Sequence, residues 1–298
     1  MLKTFLKLSL SVVVYTIVFI SANAIMPFSR GVKELGASED PLNMVFLLIT
    51  SGWVCFTIYY IIRHAQLNGM KLYITTVLVM FLVQIFMAQI ETLFFGDAFP
   101  ALTALDVILI MTVGLITLSA TVALMVKLFR NKNVTVEKKE INIKTGIKKL
   151  GIIGLLYPCV YFVFGYFVAW QFEDLRILYS GSPEKLGFFS HLASLNPVIY
   201  SFQILRGILF GLFVIPLMKM VKTKKVFVIS TCLVYLYLGV VFLTPNALFP
   251  GMARIGHLLE MTSSMLVFGI IVGYILWDTG NTISKRTVKN KTLQKIKK

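Results

Sequence analysis

The chain has 298 residues, of which 57% are hydrophobic and 14% charged; its mean hydropathy is +0.83 and its formal net charge is +16. A soluble domain carries about a quarter charged residues, so this composition argues against a soluble protein. The three cysteines (Cys55, Cys159 and Cys232) all lie in apolar segments and form no Cys-x-x-Cys pair. The sequence therefore predicts neither a disulfide framework nor a zinc site.

Apolar runs of about 20 residues recur along the chain, long enough to cross a hydrocarbon core of about 30 Å as helices. They lie at residues 5–26, 43–62, 72–95, 104–127, 150–170, 199–218, 225–245 and 254–277. No polar stretch between them is long enough to fold as a soluble domain. The predicted fold is an all-α polytopic bundle forming one integral membrane domain over residues 1–298, with four spans in 5–127 and four in 150–277.

The first run could also be a signal peptide. Residues 1–24 combine a basic start, an apolar stretch and the small-residue sequence Ala22-Asn23-Ala24, as a cleaved signal does. The apolar segment from Leu8 to Ile25 is long for a signal sequence, so a retained first helix is favoured. Cleavage would leave seven spans.

Positive charge alternates between the two sides of this topology. With a cytoplasmic N-terminus, 23 of the 29 Lys and Arg residues lie on cytoplasmic segments, five on outer segments and one, Arg206, within a span. This asymmetry orients membrane proteins, so we expect both termini in the cytoplasm and the bundle in the inner membrane. The basic loop 127–149 and the tail 278–298 are expected to contact anionic lipid headgroups. Nucleic acid is disfavoured, because the tail interleaves no aromatic residues with its charges.

Two further features concern packing and access. Gly207-x-x-x-Gly211 and Gly269-x-x-x-Gly273 would allow close helix approach, and internal packing is favoured over dimerisation in a bundle of eight spans. The longest outer loop, 171–197, contains the stretch FEDLRILY, which predicts a short amphipathic helix. This loop is either a lid over a polar pocket or a plain connector.

Polar side chains within the spans are the candidate site, because ionisable groups are costly in hydrocarbon and usually mark function. Topology places the ionisable ones in the outer half of the membrane. Helical spacing groups most of the polar residues into one stripe each on spans 3, 6 and 8. The candidates are Gln84 and Glu91 on span 3, Asp106 on span 4, Gln203 and Arg206 on span 6, and Arg254, His257 and Glu260 on span 8.

These stripes are expected to converge, with Arg206 neutralising Glu91, Glu260 or both. A network that only fixes helix register is the alternative. Because the groups exceed what one ion pair needs and open toward one side, we favour a cavity that binds a small molecule, an ion or a lipid.

A metal site is a weaker hypothesis. His257-x-x-Glu260 places an imidazole and a carboxylate on one helical face, with Glu91 and the loop residue His191 as further ligands. The spacing alone is unspecific. Haem is disfavoured because His257 is the only histidine within a span, and Ser264 lies two turns from it, so no catalytic triad is present. The sequence specifies no cofactor and no oligomeric state.

Four stretches, MAQIETLFFG, YFVAWQ, FQILRG and ARIGHLLEMTSS, resemble a group of bacterial multi-pass membrane proteins of uncharacterised activity. The resemblance extends from span 2 to span 8 and implies a bacterial inner-membrane protein, without an activity or a site. A small transporter or permease is the favoured function, although the two halves show no convincing internal repeat. The alternatives are a membrane-embedded enzyme acting on a lipid or envelope precursor at the outer leaflet, and a receptor, immunity or assembly protein with a structural Arg-Glu network.

Overall fold

The computed structural model describes residues 2–36, 42–130, 142–244, 248–249 and 251–277, without the side chains of 35 and 36. Within these ranges the secondary structure is helical, and eight helices are long and apolar enough to cross a membrane. The predicted all-α polytopic bundle is confirmed. The tail 278–298 and residues 131–141 of the basic loop lie outside the described ranges, as does any contact they make with lipid headgroups.

The helices follow one another along the chain with short connections. They are α1 (Leu2–Ile25), α2 (Arg30–Gly36), α3 (Leu42–His64), α4 (Gly69–Met80), a π-helical turn (Phe81–Phe86), α5 (Met87–Phe94), α6 (Ala104–Phe129), α7 (Ile143–Phe167), α8 (Glu173–Ser180), α9 (Phe188–Ser194), α10 (Val198–Met220), α11 (Lys224–Val240) and α12 (Gly251–Trp277). Three of the spans are composite: Gly69–Phe94 contains the π turn, and Ile143–Gln171 and Lys224–Leu243 each end in a 3₁₀ turn.

Each predicted span coincides with one of these helices, but span 5 begins at Ile143 instead of residue 150. The side chain of Asn142 accepts a hydrogen bond from the backbone N–H of Thr145 and caps the helix there. This cap satisfies one of the free N–H groups at the helix start, so the helix includes a basic first turn that the hydropathy pattern left out.

The two ends of the bundle differ in packing. We call the end near Leu2 and Trp277 the proximal end, and the end near Ile25 and Gly251 the distal end. In the proximal half, large apolar side chains from several spans are completely buried against one another, among them Ile58, Ile61, Leu72, Met80, Val122, Met125, Val214, Leu217, Phe227 and Val272. This half is therefore closed, as close packing of apolar side chains leaves few voids.

Glycines set the closest helix contacts. A Cβ on Gly207 would lie 2.6 Å from the Cβ of Tyr157 and 3.0 Å from the Cα of Gly154, and one on Gly269 would lie 3.0 Å from the Cα of Cys232. The glycine pairs thus pack α10 against α7 and α12 against α11 within the chain. The favoured interpretation as internal packing is supported.

Candidate functional site

A cavity of about 1220 Å³ occupies the distal half of the bundle. Its lining includes Gly114 and Met261, each ten residues from the distal start of its helix, a depth of about 15 Å at 1.5 Å per residue. The exposed side chains of Asp97 and Glu184 also line it. The cavity therefore extends from the distal surface to the middle of a hydrocarbon core of about 30 Å.

Span 3 reaches the cavity through its π-helical turn. Gln84 lies in this turn, is 2% exposed, and donates from Nε2 to the carbonyl oxygen of Val234 on α11 at 3.3 Å. Gln84, Ala88 and Glu91 all line the cavity, as their spacing predicted. The π turn itself was not predicted, since a single extra residue per turn leaves no mark on hydropathy; such turns are frequent at functional sites.

Arg206 on α10 holds Glu91 with both arms of its guanidinium. Nη1 donates to Oε1 and Nη2 to Oε2, each at 2.6 Å, and Nη1 also donates to Oε1 of Gln203 at 3.0 Å. Arg206 is 1% exposed and does not line the cavity, whereas the Glu91 side chain is 25% exposed and does. The cation therefore neutralises Glu91 from behind the cavity wall, as a two-point pair of this kind does best.

Aromatic rings surround this cation. Its Cζ lies 5.5 to 5.8 Å from the ring centres of Tyr157, Phe202 and Phe210. Rings at this distance stabilise a positive charge through their negative faces. They allow Arg206 to stay charged although water does not reach it.

A second set of polar side chains, from α8 and α12, lies on the wall of the cavity. The Tyr179 hydroxyl lies 3.0 Å from Nε2 of His257, and Nδ1 of His257 lies 3.8 Å from Oε2 of Glu260. Ser264 donates from Oγ to Oε1 of Glu260 at 3.2 Å. When the phenol is the donor, Nε2 accepts and the imidazole proton sits on Nδ1, facing the carboxylate. These residues form a chain in which Tyr179 and His257 are within hydrogen-bond distance, whereas the 3.8 Å contact between His257 and Glu260 is too long for a hydrogen bond.

Burial keeps the first member of this chain neutral. It raises the pKa of the Tyr179 phenol, and the carboxylates of Glu91 and Glu260 raise that pKa further. A phenolate near two carboxylates in an apolar site would be strongly disfavoured. Tyr179 therefore retains its proton and is available as a hydrogen-bond donor.

The rest of the cavity wall is rich in aromatic residues. Of its 47 lining residues 14 are Phe, Tyr or Trp, about twice the 13% found in the whole chain. Phe242 stacks on the imidazole of His257 at 5.0 Å and 21°, and Phe249 meets its edge at 4.9 Å. Sites for small ligands have this character, an apolar and aromatic wall with a few placed polar groups.

The long distal loop forms part of the wall. Its stretch FEDLRILY folds as α8, which confirms the predicted helix. Leu175 packs against Ala253 of α12, and Asp174 accepts from the backbone N–H of Met252 at 3.0 Å. α8 is thus attached to the start of α12, and the hypothesis that it acts as a lid stays a prediction.

Besides Arg206, three predicted candidates lie away from the cavity lining. Asp106 caps α6: it accepts from Thr103 Oγ1 at 2.6 Å and from the backbone N–H of Ser29 at 2.8 Å. Arg254 donates to the carbonyl oxygens of Phe242 and Leu243 at the end of span 7, at 3.2 and 2.8 Å. Gln203 only supports Arg206. Polar side chains close to helix ends satisfy free backbone groups, and this is what Asp106 and Arg254 do.

The geometry gives no support to the metal hypothesis. Among the described residues, no three His, Cys, Asp or Glu side chains form a group that could hold a metal ion. Glu91 is occupied by Arg206, while His191 packs against Trp170 at 4.4 Å between ring centres. Of the four ligands proposed from the sequence, only His257 and Glu260 lie side by side, 3.8 Å apart.

Sequence reasoning missed Tyr179, because it lies outside the spans. Its spacing could have indicated it, since Leu175 and Tyr179 are four residues apart and share the apolar face of α8. Both line the cavity.

A scan against protein-family models, a search of curated proteins and a search of solved structures each found no match to this chain. Its function is therefore inferred from the cavity alone.

Proposed function

We propose that the protein is a small-molecule transporter whose substrate occupies the distal cavity. The observation that carries this proposal is a cavity that extends to mid-membrane from one end while apolar packing closes the other. Carriers bind their substrates near the midplane and expose the site to one side at a time. The arrangement corresponds to one of those two states.

The π turn of span 3 supports the proposal. Such turns are frequent at functional sites, and here the π turn Phe81–Phe86 lies within the continuous helix Gly69–Phe94 at the depth of the cavity floor. The distribution of Lys and Arg supports the distal end as the outer one; with that orientation, this state opens outward from the inner membrane.

Thiol labelling tests the proposal without a known substrate. In a variant lacking Cys55, Cys159 and Cys232, Ala88→Cys introduces a thiol in the cavity and Met80→Cys one in the proximal packing. In sealed vesicles, a membrane-impermeant maleimide should label Ala88→Cys from the distal side. If the site alternates, it should also label Met80→Cys from the proximal side.

The control is Lys71→Cys, since Lys71 is exposed at the proximal end of span 3 and its replacement should be labelled from that side at once. Efficient labelling of this control with none of Met80→Cys would contradict transport and leave a one-sided binding pocket.

The chain Tyr179–His257–Glu260 favours a second candidate, a membrane-embedded enzyme acting on a lipid or envelope precursor. An imidazole held between a phenol and a carboxylate can serve as a general acid or base. The purified protein, incubated in vesicles of bacterial lipid extract, should then generate a product detectable by mass spectrometry. This product should be lost with His257→Gln, and an unchanged lipid profile with the wild type would reject the candidate.

A further inference from the structure

The charge of the cavity is opposite to that of the chain. The formal net charge of the protein is +16. Yet the described residues that line the cavity include four carboxylates, Glu91, Asp97, Glu184 and Glu260, and neither Lys nor Arg. Side chains that face a binding cavity set the charge of what can enter it, because an apolar wall strengthens their field.

The four carboxylates differ in how they are compensated. Glu91 is paired at both oxygens with Arg206, and Asp97 and Glu184 are exposed at the rim, where water solvates them. Glu260 is 5% exposed, and within the described part of the chain its only neighbour at ion-pair distance is His257, at 3.8 Å without a hydrogen bond. Nδ1 of that histidine has no hydrogen-bond partner there.

Glu260 is thus a buried carboxylate that faces the cavity, and no Lys or Arg of the described segments is paired with it. A charge in this position is costly unless a partner neutralises it. Arg206 shows that the fold can supply such a partner by placing an arginine behind the wall. At Glu260 no Lys or Arg among the described residues does so, and the open side of the carboxylate faces the cavity.

The wall near Glu260 suits a cation that carries apolar groups. Tyr179, Phe242 and Phe249 stand around His257, one turn from Glu260, with ring centres 4.9 to 5.7 Å from the imidazole. Aromatic faces attract organic ammonium groups through the negative charge above the ring, and they bury the apolar substituents of such a cation. A volume of about 1220 Å³ exceeds the ~300–1,000 Å³ of sites for drug-sized ligands.

We propose that the cavity binds an amphipathic organic cation, an ammonium or phosphonium group on an apolar body, with Glu260 as its counter-ion. The inference rests on the proposed function in taking this cation as the transported substrate. The carboxylate supplies the charge and the rings supply the apolar surface. Neither a metal nor a bond-forming step is involved.

Two probes of the same shape and opposite charge test the proposal: tetraphenylphosphonium and tetraphenylborate. Their binding to the full-length protein in lipid nanodiscs is measured by equilibrium dialysis, with protein-free nanodiscs as the blank. Tetraphenylphosphonium should bind saturably and tetraphenylborate should not. Glu260→Gln should weaken phosphonium binding at least tenfold, whereas the matched control Glu173→Gln, at an exposed glutamate outside the cavity lining, should change it less than twofold.

Saturable borate binding of equal strength would overturn the proposal, as would an absence of phosphonium binding or an unchanged affinity in a folded Glu260→Gln protein. If that variant fails to fold, the comparison of the two probes on the wild type decides. Phosphonium binding without proximal labelling of Met80→Cys would refute transport and leave the cation site. Proximal labelling of Met80→Cys without phosphonium binding would refute the cation site and leave the transport proposal standing.

Discussion

Arg206 and Glu91 form a two-point ion pair between α10 and α5, with both nitrogen–oxygen distances at 2.6 Å. The arginine is buried behind the cavity wall, and the glutamate is part of that wall. The pair therefore has two consequences: it fixes α10 against span 3, and it cancels the charge of one carboxylate on the cavity wall.

Removal of the arginine should destabilise the protein more than removal of both partners. Arg206→Gln leaves the Glu91 carboxylate without its cation, and we expect a loss of about 3 kcal/mol, near the lower end for a broken buried pair because the Glu91 side chain is 25% exposed. The double variant Glu91→Gln with Arg206→Gln should regain part of this loss. The free energies of unfolding of the single and the double variant are measured in detergent micelles. If the double variant is no more stable than Arg206→Gln alone, the pairing is contradicted. The control is Arg30→Gln, which removes the cation of an exposed ion pair and should leave the free energy of unfolding unchanged.

A methyl group at the α7–α10 contact should also destabilise the bundle. Gly207→Ala would place its Cβ 3.0 Å from the backbone at Ile153 and Gly154, which cannot move aside as a flexible side chain can. We expect a loss of about 1–3 kcal/mol, typical of overpacking, seen as a lower unfolding temperature. Gly151→Ala on α7 is the matched control, because no atom lies within 4 Å of its added Cβ. Because helix propensity by itself favours Ala over Gly, Gly151→Ala should be neutral or stabilising, and equal effects at both positions would contradict the role of the contact.

Acid should loosen the distal loop through His191. This side chain is 9% exposed, packs on Trp170, and has its pKa lowered by burial. Because the folded pKa lies below the unfolded value of about 6.5, the unfolded state binds more protons, and stability falls as the pH decreases below about 6.5. Thermal unfolding between pH 8 and pH 5 measures this. His191→Phe keeps an aromatic ring packed on Trp170 but cannot be protonated, so its unfolding temperature should change less between pH 6.5 and pH 5 than that of the wild type. If the two proteins show the same pH dependence, groups other than His191 cause it.

Two substitutions of Tyr179 distinguish the contribution of its aromatic ring to cation binding from that of its hydroxyl. Under the cation-site proposal, Tyr179→Phe should bind tetraphenylphosphonium within about twofold of wild type, because the aromatic face is retained. Tyr179→Leu should weaken binding roughly 2- to 30-fold, the equivalent of one cation–π contact. Equilibrium dialysis distinguishes them. Equal losses in both variants would show that the hydrogen bond to His257 matters and the ring does not.

The sequence indicated four of the polar residues that line the cavity. Gln84, Glu91, His257 and Glu260 were selected by burial and helical spacing, and all four line the cavity. Asp106 and Arg254 were selected on the same grounds but do not line the cavity. A carboxylate or guanidinium near a helix end has the same position in the sequence whether it binds free backbone groups or faces a ligand. Only their partners distinguish these roles.

The eight spans and the all-α fold follow from the sequence alone, since a helix satisfies its backbone hydrogen bonds locally and a bilayer imposes its length. Burial likewise dictated that Arg206 needs an acidic partner. The choice of Glu91 over Glu260, the π turn, and the meeting of Tyr179 with His257, 78 residues away in the chain, were decided by tertiary packing. The position of each helix relative to its neighbours arises from contacts distant in sequence, which no local pattern encodes. That packing left Glu260 facing the cavity, and no arginine of the described ranges pairs with it as Arg206 pairs with Glu91.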